Sequence, residues 1–193
     1  MNLPNKLTVL RILLIPVFML LIIFKGITGG YAAPMMSIMH GNIVSWMQVI
    51  AVIVFAFASA TDWLDGHIAR ARGLVTNFGK FADPLADKML TMTAFIFLVS
   101  LNLAPAWVVA IIVCRELAVT GLRLIVVEND GEVIAAKMPG KIKTTAQMLS
   151  IIFLLLGDPF YIGTVLLYIA LIFAIYSGYD YFRGSWSIFK GSM

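Results

Sequence analysis

Charge is what this sequence has least of. Lys, Arg, Asp and Glu fill 12% of its 193 positions, whereas a water-soluble globular domain carries about 25%. Hydrophobic residues fill 61%, and the mean hydropathy is +0.97. Water is therefore not the main solvent of this chain. Cysteine is almost missing: Cys114 stands alone in an apolar run, which excludes an internal disulfide and a thiolate metal site. Internal repeats and low-complexity linkers are also lacking, so residues 1–193 are expected to form a single membrane domain. The formal net charge of +4 is spread between apolar runs rather than gathered into an arm or stripe, which excludes nucleic acid as the expected partner. The first apolar run, Ile12 to Phe24, has no small-residue cleavage site before Lys25, so it reads as a span and not as a removable leader.

A hydrocarbon core about 30 Å thick takes about 20 mostly apolar residues in helix. Six stretches qualify: Leu7–Phe24, Ile43–Ala60, the run after Pro84 through Ser100, Pro105–Val127, Ile142–Leu156 and Phe160–Tyr176. The expected fold class is thus an all-α integral membrane protein with six transmembrane helices. Six spans put both termini on one side. That side holds Lys6, Arg70, Arg72, Lys80, Lys137, Lys141, Lys143, Arg183 and Lys190, against Lys25 alone opposite. The bias of cytoplasmic loops toward Lys and Arg makes the termini cytoplasmic. Pro84 and Pro105 are expected near helix starts, where a missing N–H is tolerated. The turns at Leu101–Ala104 and Gly157–Pro159 are short, so their flanking helices should be antiparallel neighbours. The longer connection from Lys25 to Asn42 is expected to hold a short interfacial helix.

The few acids are unevenly placed. Four of the seven Asp fall within 26 residues: Asp62, Asp65, Asp83 and Asp87. Asp62 and Asp65 are spaced i,i+3 at the cytoplasmic end of the second span, and Asp83 and Asp87 i,i+4 at the start of the third. Each pair therefore shares a helix face. Helix capping explains at most Asp62 and Asp83, and leaves the pairing unexplained. Four ionised carboxylates repel one another and disfavour burial. Divalent cations resolve that conflict: carboxylate oxygens suit Mg²⁺ or Mn²⁺, and two metals about 4 Å apart clamp the attacking and leaving oxygens of a phosphoryl displacement. Gly66 and Ala69 lie near Asp62 and Asp65, where small residues allow close approach to the backbone. Arg70 offers a planar fork of donors to a phosphate. Gly79 lies one turn before Asp83 and matches Gly66 on the second helix.

This string, D-x-x-D-G-x-x-A-R-x8-G-x3-D-x3-D, resembles the signature of the CDP-alcohol phosphotransferases, with every fixed position filled. The segments Pro4–Thr8 with Arg11, Asp83–Lys88, Arg115–Glu116 and Gly140–Gln147 are similar to the branch of bacterial phosphatidylglycerophosphate synthases. The resemblance covers nearly the whole chain. It implies a six-helix membrane fold, a homodimer in the bacterial inner membrane and an active site facing the cytoplasm. It implies two divalent cations, Mg or Mn, held by Asp62, Asp65, Asp83 and Asp87, with Asp87 also the general base. Gly66, Ala69, Arg70 and Gly79 would frame the cytidine nucleotide of CDP-diacylglycerol, with Asn5 and Thr8 nearby.

The second half of the chain must choose the acceptor. Arg115 and Glu116 lie two to three turns inside the fourth span, where ionisable residues are costly and mark functional sites. Arg123 follows Arg115 by eight residues on roughly the same face, and Lys137, Lys141 and Lys143 flank the start of the fifth span. Together they would form a basic pocket for a phosphate-bearing alcohol, which favours glycerol 3-phosphate. The positive-inside rule alone accounts equally well for any one of the three lysines. The same chemistry with inositol phosphate, serine or phosphatidylglycerol is the main alternative. A cation transporter is a second, although transporters prefer sites at the bilayer midplane. A non-catalytic scaffold leaves the four Asp unexplained.

Overall fold

The structure is a computed structural model, and it describes residues 3–27, 35–38, 42–72, 77–128 and 138–184. Side chains within 62–84 and 124–128, and a few at the ends of other elements, lie outside that description. Six long helices account for nearly all of it: α1 (Leu3–Ile27), α2 (Trp46–Arg72), α3 (Asn77–Ser100), α4 (Ala106–Glu128), α5 (Met138–Leu155) and α6 (Ile162–Gly184).

Each helix overlaps one expected span, but most extend beyond it. Polar residues flanking an apolar run continue the helical hydrogen bonds, so α2 carries on twelve residues past Ala60. Pro84 is not at a helix start: α3 begins seven residues earlier, at Asn77. Pro105 does immediately precede α4. The expected interfacial helix between the first two spans is corrected by the structure. Met35–Ile38 and Asn42–Ser45 form an antiparallel two-stranded ribbon, Met35 opposite Ser45 and Ile38 opposite Asn42. Ile38, Ile43 and Val44 favour extended backbone, and Pro34 and Gly41 leave too few residues between them for a stable helix.

Contacts fix the direction of each helix. Phe18 packs on Phe55 with ring centroids 6.1 Å apart, and Arg11 Nε donates to the Ala58 carbonyl at 3.2 Å, so α1 and α2 are antiparallel. Gln48 near the start of α2 donates to the carbonyl of Leu155 at the end of α5. Trp107 meets Tyr168, and Arg115 meets Ala174, so α4 and α6 run together. Lys88 and Lys143 both reach Glu116, so α3 and α5 flank the middle of α4, and the short turn after Ser100 sends α4 back along α3. One end of the bundle thus gathers the starts of α1, α3 and α5 with the ends of α2, α4 and α6.

The core is apolar and continuous, centred on Phe18, Phe55, Phe95, Leu98, Ile112, Leu154 and Leu167. The outer faces are apolar as well: Leu13, Leu20, Ile53, Phe57, Ile96, Leu117 and Ile172 are all more than half exposed. A helix that is apolar all round does not face water. By length and composition, two helices among the described residues suffice to cross a membrane, at Asn5–Phe24 and Pro159–Gly184. The turn between α5 and α6 is tight. Asp158 adopts a left-handed conformation and its carboxylate accepts from the backbone N–H groups of Gly163 and Thr164, at 2.6 and 3.2 Å. Gly163 is required there, because a Cβ would come within 2.8 Å of Asp158 Oδ1 and of the Leu154 backbone nitrogen.

Candidate active site

The four Asp fall at the end of the bundle that collects the basic residues. Asp62 and Asp65 lie in the last three turns of α2, and Asp83 and Asp87 in the first three turns of α3. The backbone therefore keeps each pair on one helix face. The side chains of Asp62, Asp65, Ala69, Arg70 and Asp83 lie outside the described residues, as do the surroundings of Gly66 and Gly79. No group of three His, Cys, Asp or Glu forms among the described residues. The donor set fits hard divalent cations, because every member offers carboxylate oxygen.

Asn5 and Thr8 are buried on α1, one turn apart and in line with buried Arg11, Ile15, Phe18 and Ile22. The contact of Arg11 with Ala58 sets the register. Moving back along α1 from Arg11 to Asn5 moves forward along α2 from Ala58 toward its acidic turns. Both residues thus sit at the level expected for a group that borders the Asp cluster.

Asp87 opens onto a cavity of about 190 Å³ between α3, α4 and α5. Its lining includes Asp87, Lys88 and Thr91 from α3, Arg115, Glu116, Thr120 and Arg123 from α4, and Gly140, Lys143, Thr144 and Gln147 from α5. Four cations face two carboxylates across it. The structure therefore brings three of the expected acceptor cations, Arg115, Arg123 and Lys143, into one volume with Asp87.

Lys141 does not join them. It is exposed and borders a separate apolar groove with Ile142, Leu149, Leu166 and Ile169. The reason is helical geometry: residues two apart point to different faces, so Lys141 and Lys143 cannot both look inward. Lys137 lies outside the described residues.

Glu116 organises the cations. Its Oε2 accepts from Lys88 Nζ at 2.6 Å, and its Oε1 from Lys143 Nζ and from Arg115 Nη1, the latter at 3.2 Å. One carboxylate so ties α3, α4 and α5 together. A buried charge is tolerable only when paired and hydrogen-bonded, and here each helix depends on another for its counter-ion. Arg115 is further held from α6: Nε donates to the Ala174 carbonyl at 3.1 Å and Nη2 to Ser177 Oγ at 2.7 Å. Gly178 makes room for it, since a Cβ there would lie 3.2 Å from Arg115 Cγ. Arg123 lies 5.4 Å over the ring of Tyr181, a cation–π contact. Its buried Nε has no hydrogen-bond partner among the described residues.

Sequence reasoning did not select Lys88, Thr91, Thr120, Thr144 and Gln147 for this site. Lys88 carried a usable clue, as the cation next to Asp87 and 28 positions before the one acid of the fourth span. Ser177 and Gly178 carried none, because their role depends on α6 returning beside α4.

Known proteins match the chain along its length. The sequence profile of the CDP-alcohol phosphatidyltransferase family matches residues 1–176. A Bacillus subtilis protein named CDP-diacylglycerol--glycerol-3-phosphate 3-phosphatidyltransferase is 46% identical over 99% of this chain and 98% of its own length. A Pseudomonas fluorescens protein of the same name is 37% identical over 98% and 93%. A Mycobacterium tuberculosis protein named probable phosphatidylglycerophosphate synthase is 39% identical over 93% and 79%.

Proposed function

This chain belongs to the CDP-alcohol phosphatidyltransferase family, and from that premise we propose that it transfers the phosphatidyl group of CDP-diacylglycerol to the primary hydroxyl of sn-glycerol 3-phosphate, giving phosphatidylglycerophosphate and CMP. The observation that carries this reading is the cavity that joins Asp87 to Arg115, Arg123 and Lys143. It offers a base at one wall and cations for a phosphate at the others. An acceptor such as serine or choline needs no such surplus of positive charge.

The six helices act as spans of the bacterial inner membrane, with both termini and the site on the cytoplasmic side. The apolar outer faces and the gathering of Lys and Arg at one end support this orientation. The family's usual homodimer is its working state.

Asp62, Asp65, Asp83 and Asp87 would hold two divalent cations, Mg or Mn, whose bound charge neutralises the pyrophosphate. Asn5, Thr8, Gly66, Ala69, Arg70 and Gly79 border the cytidine nucleotide, while the acyl chains stay in lipid. Arg115, Arg123 and Lys143 grip the acceptor's phosphate and present its primary hydroxyl to Asp87. Asp87 takes that proton as the hydroxyl oxygen bonds to the lipid-side phosphorus. The bond from that phosphorus to the bridging oxygen breaks, and CMP leaves with the electron pair. Holding two reactants in line accounts for much of the acceleration, and fixed charge aimed at the reacting phosphate supplies more.

The test is an acceptor screen with purified protein, CDP-diacylglycerol and Mg²⁺. Labelled glycerol 3-phosphate should become lipid-soluble with equimolar CMP release. Turnover with inositol phosphate, serine or phosphatidylglycerol, but none with glycerol 3-phosphate, would reject the acceptor.

A further inference from the structure

The floor of the cavity differs from its walls. Gly140, Lys143, Thr144 and Gln147 follow one another at i, i+3, i+4 and i+7 and form a single face of α5. Gln147 is the deepest of them, one turn beyond Lys143 and 4% exposed. Its amide Nε2 is buried and has no hydrogen-bond partner among the described residues. On α3, Thr91 holds the matching place one turn beyond Asp87, with its hydroxyl donating to the Asp87 and Lys88 carbonyls at 3.0 and 3.2 Å. Charged walls thus end in an uncharged polar floor.

An orphaned buried donor is expensive, about 1–3 kcal/mol, and one that lines a cavity calls for a partner in what the cavity holds. The two such donors that line this cavity are Arg123 Nε and Gln147 Nε2. The cation has an obvious use in the acceptor's phosphate. The amide is neutral and suits an uncharged oxygen. Resting on the proposed reaction, elimination finishes the assignment: the phosphate is taken by the cations and the primary hydroxyl by Asp87. The secondary hydroxyl of the acceptor is the polar group that remains.

We propose that Gln147 is a specificity-determining residue, whose amide donates a hydrogen bond to the secondary hydroxyl of the phosphorylated acceptor. A site built around such a bond rejects an analogue that lacks the hydroxyl, because the buried amide is then left unpaired.

The experiment compares two acceptors in the full-length enzyme: glycerol 3-phosphate and 3-hydroxypropyl phosphate, which lacks only the secondary hydroxyl. Gln147→Met keeps the side chain's length and removes its donors. The variant should lose roughly 10- to 100-fold in kcat/KM for glycerol 3-phosphate, with the analogue's kcat/KM changed less than about threefold. The wild-type preference for the natural acceptor would then collapse. Equal losses on both acceptors, with an unshifted thermal midpoint in detergent, overturn the proposal, since they describe a phosphate ligand. No loss on either overturns it too. Gln147→Asn retains the amide but withdraws it by one methylene, and should show the same selective loss in smaller degree. If Gln147→Met does not fold, the pattern in Gln147→Asn decides by the same criteria. Wild-type enzyme that turns over neither acceptor instead overturns the proposed reaction, and the inference with it.

Discussion

The acidic stretch and the basic cavity meet at Asp87, yet they are assembled in different ways. The four Asp fall within 26 consecutive positions, two on α2 and two on α3. The cavity draws its side chains from α3, α4 and α5, and α6 buttresses one of them through Ala174 and Ser177. In the proposed site the like-charged acids on adjoining helices are balanced by divalent cations drawn from solution. The cations carry their own internal counter-ion in Glu116. The first region should therefore depend on solution conditions, and the second on packing.

Chelation should break the comparison at its acidic side with the largest effect. EDTA is expected to abolish CMP release and added Mg²⁺ or Mn²⁺ to restore it; turnover in metal-free buffer would sink the carboxylate assignment. Asp87→Asn should lower kcat by about 10²- to 10⁴-fold, with helical content by circular dichroism unchanged. Full activity in that variant removes Asp87 as the base. On the basic side, Glu116→Gln strands three cations. Removing one partner of a buried ion pair costs about 3–5 kcal/mol, so thermal unfolding in detergent should shift sharply downward, with KM for the acceptor raised. An unshifted midpoint would show that Glu116 ties nothing together.

Arg123→Ala should sharpen the division of labour within the cavity. Losing a hydrogen bond to a charged group, about 1.5–3 kcal/mol, raises the acceptor's KM roughly 10- to 100-fold with little change in kcat. A fall in kcat alone contradicts a binding role. Lys141→Ala should do least, with kcat/KM altered less than about twofold, as expected for an exposed site away from the cavity. A loss matching that of Arg123→Ala would restore Lys141 to the acceptor site.

The two regions were also unequally legible. The acid pairs could be read from spacing, because i,i+3 and i,i+4 neighbours share a face whatever the tertiary fold. Six helices were legible from apolar runs, but their lengths were not: hydropathy reports which residues suit lipid, not where backbone hydrogen bonding stops. Hence α2 reaches Arg72 and α3 begins before Pro84. The ribbon of 35–38 and 42–45 escaped because four-residue strands carry little periodicity. In the cavity, Arg115 is conspicuous as charge deep in an apolar run, Arg123 as the cation eight positions on along the same face, and Lys143 as one of three lysines flanking the start of the fifth span. Lys141 was grouped with them because nearness in sequence hid its opposite facing. Gly178 was invisible as a site residue and Gln147 showed only as the last residue of the segment Gly140–Gln147, since each matters only through a neighbour contributed by another helix.

Arg115 has one more implication. Its guanidinium is moored to α6 at Ala174 and Ser177, and the other side of that helix presents Ile172, Ile175, Tyr176 and Tyr179 outward. A helix in a bilayer answers a change in hydrocarbon thickness by tilting. Any tilt of α6 drags the arginine with it. The placement of that guanidinium in the cavity is therefore tied to the angle of α6, through the face opposite its exposed apolar one.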